Sequence, residues 1–243
     1  MYKFLSTLYA VGCSHTRYCW PTYADILSQE YDNFENWGQS GFGNFAIMHR
    51  VVEIADKMQS DDRLIVQWTY PTRFDFHRKG DGWYQGGNLQ HNFDQVQDTI
   101  NKFAYDPDSY QWHMETFIKL TKQYLDTNVV DYNMIGVDFN IEDIEEFPDK
   151  QALPKLSIMK DYNIKHRKFV NVRPDSNPLP DYDHHWTPKH HLKYLEDAGF
   201  TITEKMLQYT NNVESLLDEI TDWKWINHKM VTKGYIESGD YGR

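Results

Sequence analysis

Short apolar runs alternate with longer segments of helical periodicity over much of the chain. Four runs, at residues 4–12, 32–37, 63–69 and 129–139, are rich in β-branched and aromatic residues and have the length of strands. The third run has a continuous apolar centre, which is typical of a strand buried on both faces of a parallel sheet. Strands that alternate with helices predict βαβ units, and we therefore expect an α/β fold built on a parallel sheet.

The segments between these runs predict helices and loops. Pro21 at the start of residues 21–31 and an apolar stripe along residues 44–58 favour helices there. Helical periodicity also covers residues 91–127, with a break at 106–107, residues 187–198 and a stretch near 213–229. We expect one domain over residues 1–243, with a loop at 72–90, an irregular insertion or lid at 140–182 and a C-terminal extension at 199–243.

The composition is that of an acidic chain with one core. Its 243 residues suffice for a single domain, and 40% of them are hydrophobic. The net charge of -11 argues against nucleic acid as a partner, because phosphate binding needs a basic face. No apolar run reaches the roughly 18–20 residues of a membrane span. We therefore expect neither nucleic acid nor a membrane span, and the oligomeric state stays open.

The N-terminal segment allows two interpretations. Residues 1–13 resemble in outline a lipoprotein signal that ends at Cys13, but the apolar part is short and only one lysine precedes it. The pattern favours a buried first strand instead. Cys13 and Cys19 are too few for a disulfide framework, which indicates buried free thiols in a reducing compartment. The cytoplasm is the default expectation for the location.

A serine follows the first predicted strand, in the segment Gly-Cys-Ser-His-Thr at residues 12–16. A strand-to-helix turn exposes the serine oxygen and offers backbone N–H groups to an oxyanion, but the serine needs a base to become a nucleophile. Ser14 is therefore a candidate nucleophile, although a serine in this place also caps helices. His15 beside it either lines a substrate pocket or lies on the surface at the start of a helix.

Two further segments contain the residue types that such a serine needs. Residues 36–44 are glycine-rich, and glycine lets a backbone N–H approach a ligand closely. Residues 181–191 hold four of the eleven histidines together with two aspartates. A carboxylate next to an imidazole can form the orienting acid and the base of a triad, with His185 on the loop before a helix that starts near Pro188. The same histidines also fit solvated positions at a helix start.

Taken in chain order, these segments resemble the blocks of the SGNH/GDSL hydrolase superfamily. Residues 12–16 look like the Gly-Asp-Ser block, with Cys13 in place of Asp, residues 36–41 like the block whose glycine supplies an oxyanion N–H, and residues 183–191 like the final Asp-His block. The resemblance covers residues 6–198 in outline. It implies a three-layer α/β/α, flavodoxin-like parallel sheet and an esterase without a cofactor, which acts on a small ester such as an O-acyl or O-acetyl group of a carbohydrate. The wealth of Tyr, Asn and Asp is also similar to phage-encoded members, which would allow a virion location.

The resemblance assigns the triad. Ser14 would be the nucleophile and His185 its base, and Asp183 would orient the imidazole. Because the spacing of acid and base varies by one residue in such blocks, the pair His184 and Asp181 is the alternative.

The remaining family block, Gly-x-Asn-Asp, is not matched at residues 67–73, which hold no asparagine. The N–H groups of Ser14 and Gly41 would then receive the oxyanion, helped by a donor from Thr69. Arg73 would bind a substrate carboxylate, sulfate or phosphate, and the alternative for this residue is a surface ion pair.

Two other functions fit parts of the same pattern. A metal-dependent hydrolase would use the cluster His184, His185, His190 and His191 with the neighbouring aspartates, but adjacent histidines project differently and a metal site needs convergent ligands. We therefore expect no metal. A non-catalytic carbohydrate-binding or structural protein on the same fold is the second alternative, because the unmatched block removes one oxyanion donor and a fold does not imply activity.

Overall fold

The structure, a computed structural model, describes residues 6–79, 82–88, 106–128, 130–148, 151–157 and 185–237. Four strands form one sheet, and all of its neighbours are parallel. They are β1 (Thr7–Val11), β2 (Asn33–Asn36), β3 (Arg63–Trp68) and β6 (Tyr132–Gly136), in the order β2-β1-β3-β6. The α/β fold with a parallel sheet is thereby confirmed, and the four predicted strands lie within one to three residues of their expected bounds.

Six helices accompany the sheet in the described ranges. They are α1 (Tyr23–Leu27), α2 (Asn44–Ala55), α3 (Pro107–Thr127), α4 (Pro188–Asp197), α5 (Glu204–Asp218) and α6 (Ile226–Thr232). A capping box between Thr22 and Asp25 starts α1, and proline at the first position starts α3 and α4. None of the helices described is both long and apolar enough to cross a membrane.

Apolar side chains of the strands separate into two clusters, one on each face of the sheet. In β1, Tyr9 and Val11 belong to the cluster that α2 and α3 complete, whereas Leu8 and Ala10 belong to the cluster of α1, α4 and α5. This alternation follows from the two-residue period of a strand. The sheet is therefore covered by helices on both faces, and its carboxyl edge, where β1 and β3 end, is the place where loops converge.

The expected loop at residues 72–90 is wrong. It contains an antiparallel hairpin of β4 (Arg73–Arg78) and β5 (Gly82–Asn88), which forms a second, two-stranded sheet. The glycine- and aromatic-rich composition suggested a loop, but residues 73–77 alternate strictly between polar and aromatic side chains. That alternation is the signal of a strand with one covered face.

The C-terminal region also differs from expectation. The single helix near residues 213–229 is in fact two helices, α5 and α6, with a 3-10 turn over Trp223–Trp225 before the second. Residues of both helices pack with Tyr18, Cys19 and Trp20 of the loop after β1 in a third apolar cluster. The C-terminal helices therefore support that loop.

The expected irregular insertion at residues 140–182 lies mostly outside the described residues. Within its described part, Ala152 and Leu156 form parallel bridges with Met134 and Val137 at the edge of the sheet. Residues 91–105, the first part of the predicted helical stretch, also lie outside the described ranges.

Candidate active site

Ser14 lies in a tight turn that begins where β1 ends. The N–H groups of Thr16 and Arg17 both donate to the carbonyl of Cys13, at 2.9 and 3.2 Å. Ser14 is 4% exposed, and neither its hydroxyl nor its amide makes a hydrogen bond within the described ranges. The turn thus leaves a serine oxygen and a backbone N–H uncommitted at the carboxyl end of a central strand.

Gln67 of β3 fixes this turn from the neighbouring strand. Its side-chain oxygen accepts a hydrogen bond from the Thr16 hydroxyl at 2.9 Å, and its amide donates to the Trp68 carbonyl at 2.9 Å. A Cβ on Gly12 would overlap the Thr16 hydroxyl and come within 2.8 Å of the Gln67 Cβ. The sequence analysis missed Gln67, although a buried glutamine inside an apolar strand needs a polar partner and could have signalled this contact.

His185 lies against the loop that contains Ser14. Its ring stacks on Tyr18, with centroids 3.7 Å apart, and lies 4.8 Å from the ring of His15. The indole N–H of Trp20 donates to the carbonyl of Trp186 at 2.8 Å, which ties the two loops together. The structure therefore brings the proposed base and the neighbour of the proposed nucleophile into contact. Asp181, Asp183 and His184 lie outside the described residues.

Two imidazoles at this place, those of His15 and His191, are held neutral by their surroundings. His15 is 7% exposed, so it is not the surface residue that one interpretation suggested. Burial lowers the pKa of His15 well below its usual value, and the positive charges of His185, His191 and Arg73 lower it further. Burial, followed by the charges of His185 and His190, lowers the pKa of His191 to about 3. Such an environment opposes the accumulation of positive charge.

The proposed oxyanion donors differ in which of their N–H and O–H groups are already hydrogen-bonded within the protein. Gly41 has a φ of 86°, which glycine adopts readily, and its N–H makes no hydrogen bond in the part of the chain described. The N–H of Gly38 is committed to the Asn36 side chain at 3.0 Å. Thr69 donates its N–H to Asn44 at 2.9 Å, whereas its buried hydroxyl, which lies near the Cys13 sulfur, makes no hydrogen bond to nitrogen or oxygen within the described residues. If Thr69 donates a hydrogen bond to the oxyanion, the donor is therefore its hydroxyl, because its N–H is already bonded to Asn44.

Asn44, the first residue of α2, brings an asparagine to the end of β3. Its side-chain oxygen accepts from the N–H of Thr69, and its amide donates to the carbonyls of Thr69 and Tyr70 at 3.0 and 3.3 Å. Residues 67–73 contain no asparagine, so the sequence analysis missed this contribution from another element. Because both kinds of atom are committed to backbone, Asn44 links α2 to β3 and does not replace the missing oxyanion donor.

Arg73 borders a cleft of about 380 Å³ between α2, β4 and α3. Its Nη1 donates to the carbonyl of Phe42 at 3.4 Å, and its buried Nε has no partner within the described ranges. The alternative of a surface ion pair does not hold among the residues described, since no carboxylate lies within ion-pair distance of Arg73. Neither Ser14 nor His185 lines the cleft, so it is separate from the candidate triad.

The described residues contain no group of three or more His, Cys, Asp or Glu side chains that could hold a metal ion. His184, which the metal interpretation includes, is outside those residues. Cys13 and Cys19 are buried thiols that form no disulfide, as expected. No protein-family model matches the chain, and a search of curated proteins finds no match either.

Proposed function

We propose that the protein is a serine hydrolase that cleaves a small ester, with Ser14 as the nucleophile and His185 as the base. The observation that supports this best is the packing of His185 against the Ser14 loop, through the 3.7 Å stack on Tyr18 and the 4.8 Å approach to His15. The carboxyl edge of a parallel sheet is the usual place for such a site. Helices on both faces and the order β2-β1-β3-β6 are compatible with the three-layer SGNH arrangement.

The proposed reaction has two halves. His185 accepts the proton of the Ser14 hydroxyl while the oxygen attacks the ester carbonyl, and Asp183 orients the imidazole and stabilises its charged form. The N–H groups of Ser14 and Gly41 and the Thr69 hydroxyl stabilise the oxyanion. The proton then passes to the leaving alcohol and an acyl-enzyme remains. Water attacks the acyl group, gives its proton to His185, and releases the acid and free Ser14.

The uncommitted donors support this assignment of roles. A buried backbone N–H is normally bonded, so the uncommitted amide of buried Ser14 suggests a position kept for a ligand oxygen. Gly41 is partly exposed and adds a second N–H that makes no hydrogen bond within the described ranges. The Thr69 hydroxyl makes no hydrogen bond to nitrogen or oxygen in the described part of the chain, which supports the same conclusion. The neutral state of His15 leaves His185 as the imidazole that gains the proton during the reaction. Carbohydrate O-acyl esters remain the proposed substrate class.

The test is turnover of p-nitrophenyl acetate by the full chain. We expect wild type to hydrolyse it and Ser14→Ala to lose the activity by about 10³-fold or more, because removal of a triad member leaves only binding and oxyanion stabilisation. Ser60→Ala, at an exposed serine before β3, is the matched control and should behave as wild type. Turnover by Ser14→Ala at the wild-type rate would refute Ser14 as the nucleophile.

We also expect the turnover of wild type to be insensitive to a chelator. Loss of activity with a chelator would favour the metal-dependent alternative.

A non-catalytic binding protein is the second candidate. The aromatic lining of the cleft next to Arg73 favours it, because such a surface can hold a ligand without any chemistry at Ser14. A protein that turns over neither p-nitrophenyl acetate nor an acetylated sugar, yet binds a ligand in this cleft, would decide for this candidate.

A further inference from the structure

We propose that the cleft between α2, β4 and α3 is a subsite for an aromatic group that bears a carboxylate, with Arg73 as the residue that recognises the anion. The inference rests on the proposed function, since it names the substrate portion that would be held beside Ser14. The cleft volume of about 380 Å³ lies in the range of about 300–1,000 Å³ of small-molecule sites.

Arg73 has unused hydrogen-bonding capacity at a partly buried position. A guanidinium carries five N–H donors, and within the described part of the chain its acceptor is the Phe42 carbonyl, at a long 3.4 Å. The Nε atom is buried and has no hydrogen-bond partner among the described residues. A bound carboxylate would use these donors with two parallel hydrogen bonds.

The other arginine beside Phe42 provides a contrast. Arg50 donates to the Trp37 carbonyl at 2.7 Å and to the Gln39 side chain at 3.2 Å, and its guanidinium lies 4.4 Å from the centre of the Phe42 ring. Those contacts satisfy the group within the protein. Among the described residues Arg73 has one long hydrogen bond where Arg50 has two shorter ones, and this difference points to a ligand.

The rest of the cleft suits a flat ring. Its walls include Phe45, Phe74, Tyr110, His113 and Phe117. Phe45 and Phe117 lie 5.7 Å apart, His113 stacks on Phe117 at 6.3 Å, and Phe45 remains 42% exposed. Aromatic side chains gain from offset or edge contact with another ring, and an apolar ligand would cover the exposed Phe45.

Asp75 is a carboxylate that also lines the cleft. Both of its side-chain oxygens lie 3.3 Å from the N–H of Ala46 in the first turn of α2. The charge of Arg73 helps to lower the pKa of Asp75, but burial outweighs it and raises this pKa to about 6. Because the Asp75 oxygens are bonded to α2, the Arg73 guanidinium keeps donors for a carboxylate of a ligand.

The position of Arg73 connects the cleft to the Ser14 turn. Burial raises the pKa of the Cys13 thiol, but the Arg73 charge and hydrogen bonds to the sulfur outweigh this and leave the pKa lowered. The same charge contributes to the lowered pKa of His15. The charge of Arg73 therefore acts on both neighbours of Ser14. Asn44, which lines the same cleft, also bonds to Thr69, a proposed oxyanion donor. A carboxylate bound to Arg73 would on this basis direct its substrate towards the nucleophile.

The test measures binding in the catalytically silent Ser14→Ala protein by calorimetry, with phenylacetate, its neutral isostere phenylacetamide, and acetate as probes. We expect phenylacetate to bind with a millimolar or lower Kd and at least about tenfold more tightly than either of the others, which corresponds to one buried charge-assisted contact. Arg73→Gln should remove this preference about tenfold, and Arg73→Lys should retain part of it. Arg63→Gln, at the opposite edge of the sheet, is the control and should bind phenylacetate as the parent does.

Each outcome separates this inference from the proposed hydrolase. Equal affinity for phenylacetate and phenylacetamide, no phenylacetate binding at millimolar concentrations, or unchanged binding by a folded Arg73→Gln protein would overturn the subsite, even if wild type hydrolyses esters. Selective, Arg73-dependent binding would support it even if wild type hydrolyses no ester. Thermal unfolding of each variant shows whether it is folded, and Arg73→Lys provides the result if Arg73→Gln is not.

Discussion

Three imidazoles lie close together near the nucleophile turn, and they differ in burial. His15 and His191 are 7% and 1% exposed, and the Nδ1 of His191 has no hydrogen-bond partner. His185 stacks on Tyr18 at the surface of this group. The sequence showed only a concentration of histidines, so the metal, base and surface interpretations all fitted. Burial distinguishes the three residues. His15 and His191 are enclosed, and a buried imidazole stabilises the fold only while it stays uncharged.

His191 therefore makes the protein sensitive to acid. Its pKa is about 3 in the folded chain and near 6.5 when unfolded. Between these pH values the unfolded state binds the extra proton, so the free energy of unfolding falls as the pH is lowered, by up to about 1.4 kcal/mol per pH unit for one such group. In His191→Gln this dependence should be shallower, which urea unfolding at several pH values from 7 down to about 4 measures.

Other groups titrate in the same pH range, so the test compares the dependence of the free energy of unfolding on pH between wild type and His191→Gln. Burial raises the pKa of Asp25 and Asp75 to about 6, and these carboxyls favour the folded state as the pH falls. Their contribution cancels in the difference between two profiles. His228→Gln, at an exposed position of α6, is the matched control and should follow wild type. Parallel profiles for wild type and His191→Gln would contradict the assignment.

At the scale of elements, the join between α2 and the end of β3 depends on Asn44. Its side chain satisfies one N–H and two carbonyls of Thr69 and Tyr70, all in the loop that carries the proposed oxyanion donor. Removal of this side chain leaves buried backbone groups without partners.

We expect Asn44→Ala to lower the free energy of unfolding by about 2–4 kcal/mol, since each lost buried hydrogen bond contributes about 1 kcal/mol and an orphaned partner adds to the cost. Chemical denaturation measures it. Asn211→Ala, at an exposed position of α5, is the control and should change stability by less than about 0.5 kcal/mol. A loss for Asn44→Ala as small as that of the control would show that the join does not depend on this residue.

Elements with strong periodicity were predictable, and those shaped by tertiary contacts were not. The apolar run of β3 and the stripe of α2 gave their positions to within three residues. The β4–β5 hairpin was missed because glycine and aromatic residues concealed a two-residue alternation. The break between α5 and α6 was not predicted either, and both helices pack against Tyr18, Cys19 and Trp20. Gln67 and Asn44 could not be connected with Ser14 from spacing, because both act from other elements.

For the whole molecule, the account depends on the convergence of distant segments at one edge of the sheet. Ser14 follows β1, Gly41 precedes α2, Thr69 follows β3 and His185 precedes α4. The C-terminal helices hold the loop after Ser14 through the third apolar cluster, and His185 stacks on Tyr18 of that loop. A single nucleophilic serine among all the serines of the chain is the consequence that this arrangement predicts.

Labelling with a fluorophosphonate tests that claim most directly. The reagent reacts with a serine whose hydroxyl is activated by a neighbouring base and whose product oxyanion is stabilised. The account predicts one label per chain, found on Ser14 by peptide mass analysis, full labelling of Ser60→Ala and none of Ser14→Ala. An unlabelled wild-type protein, or a label on any other residue, would contradict it.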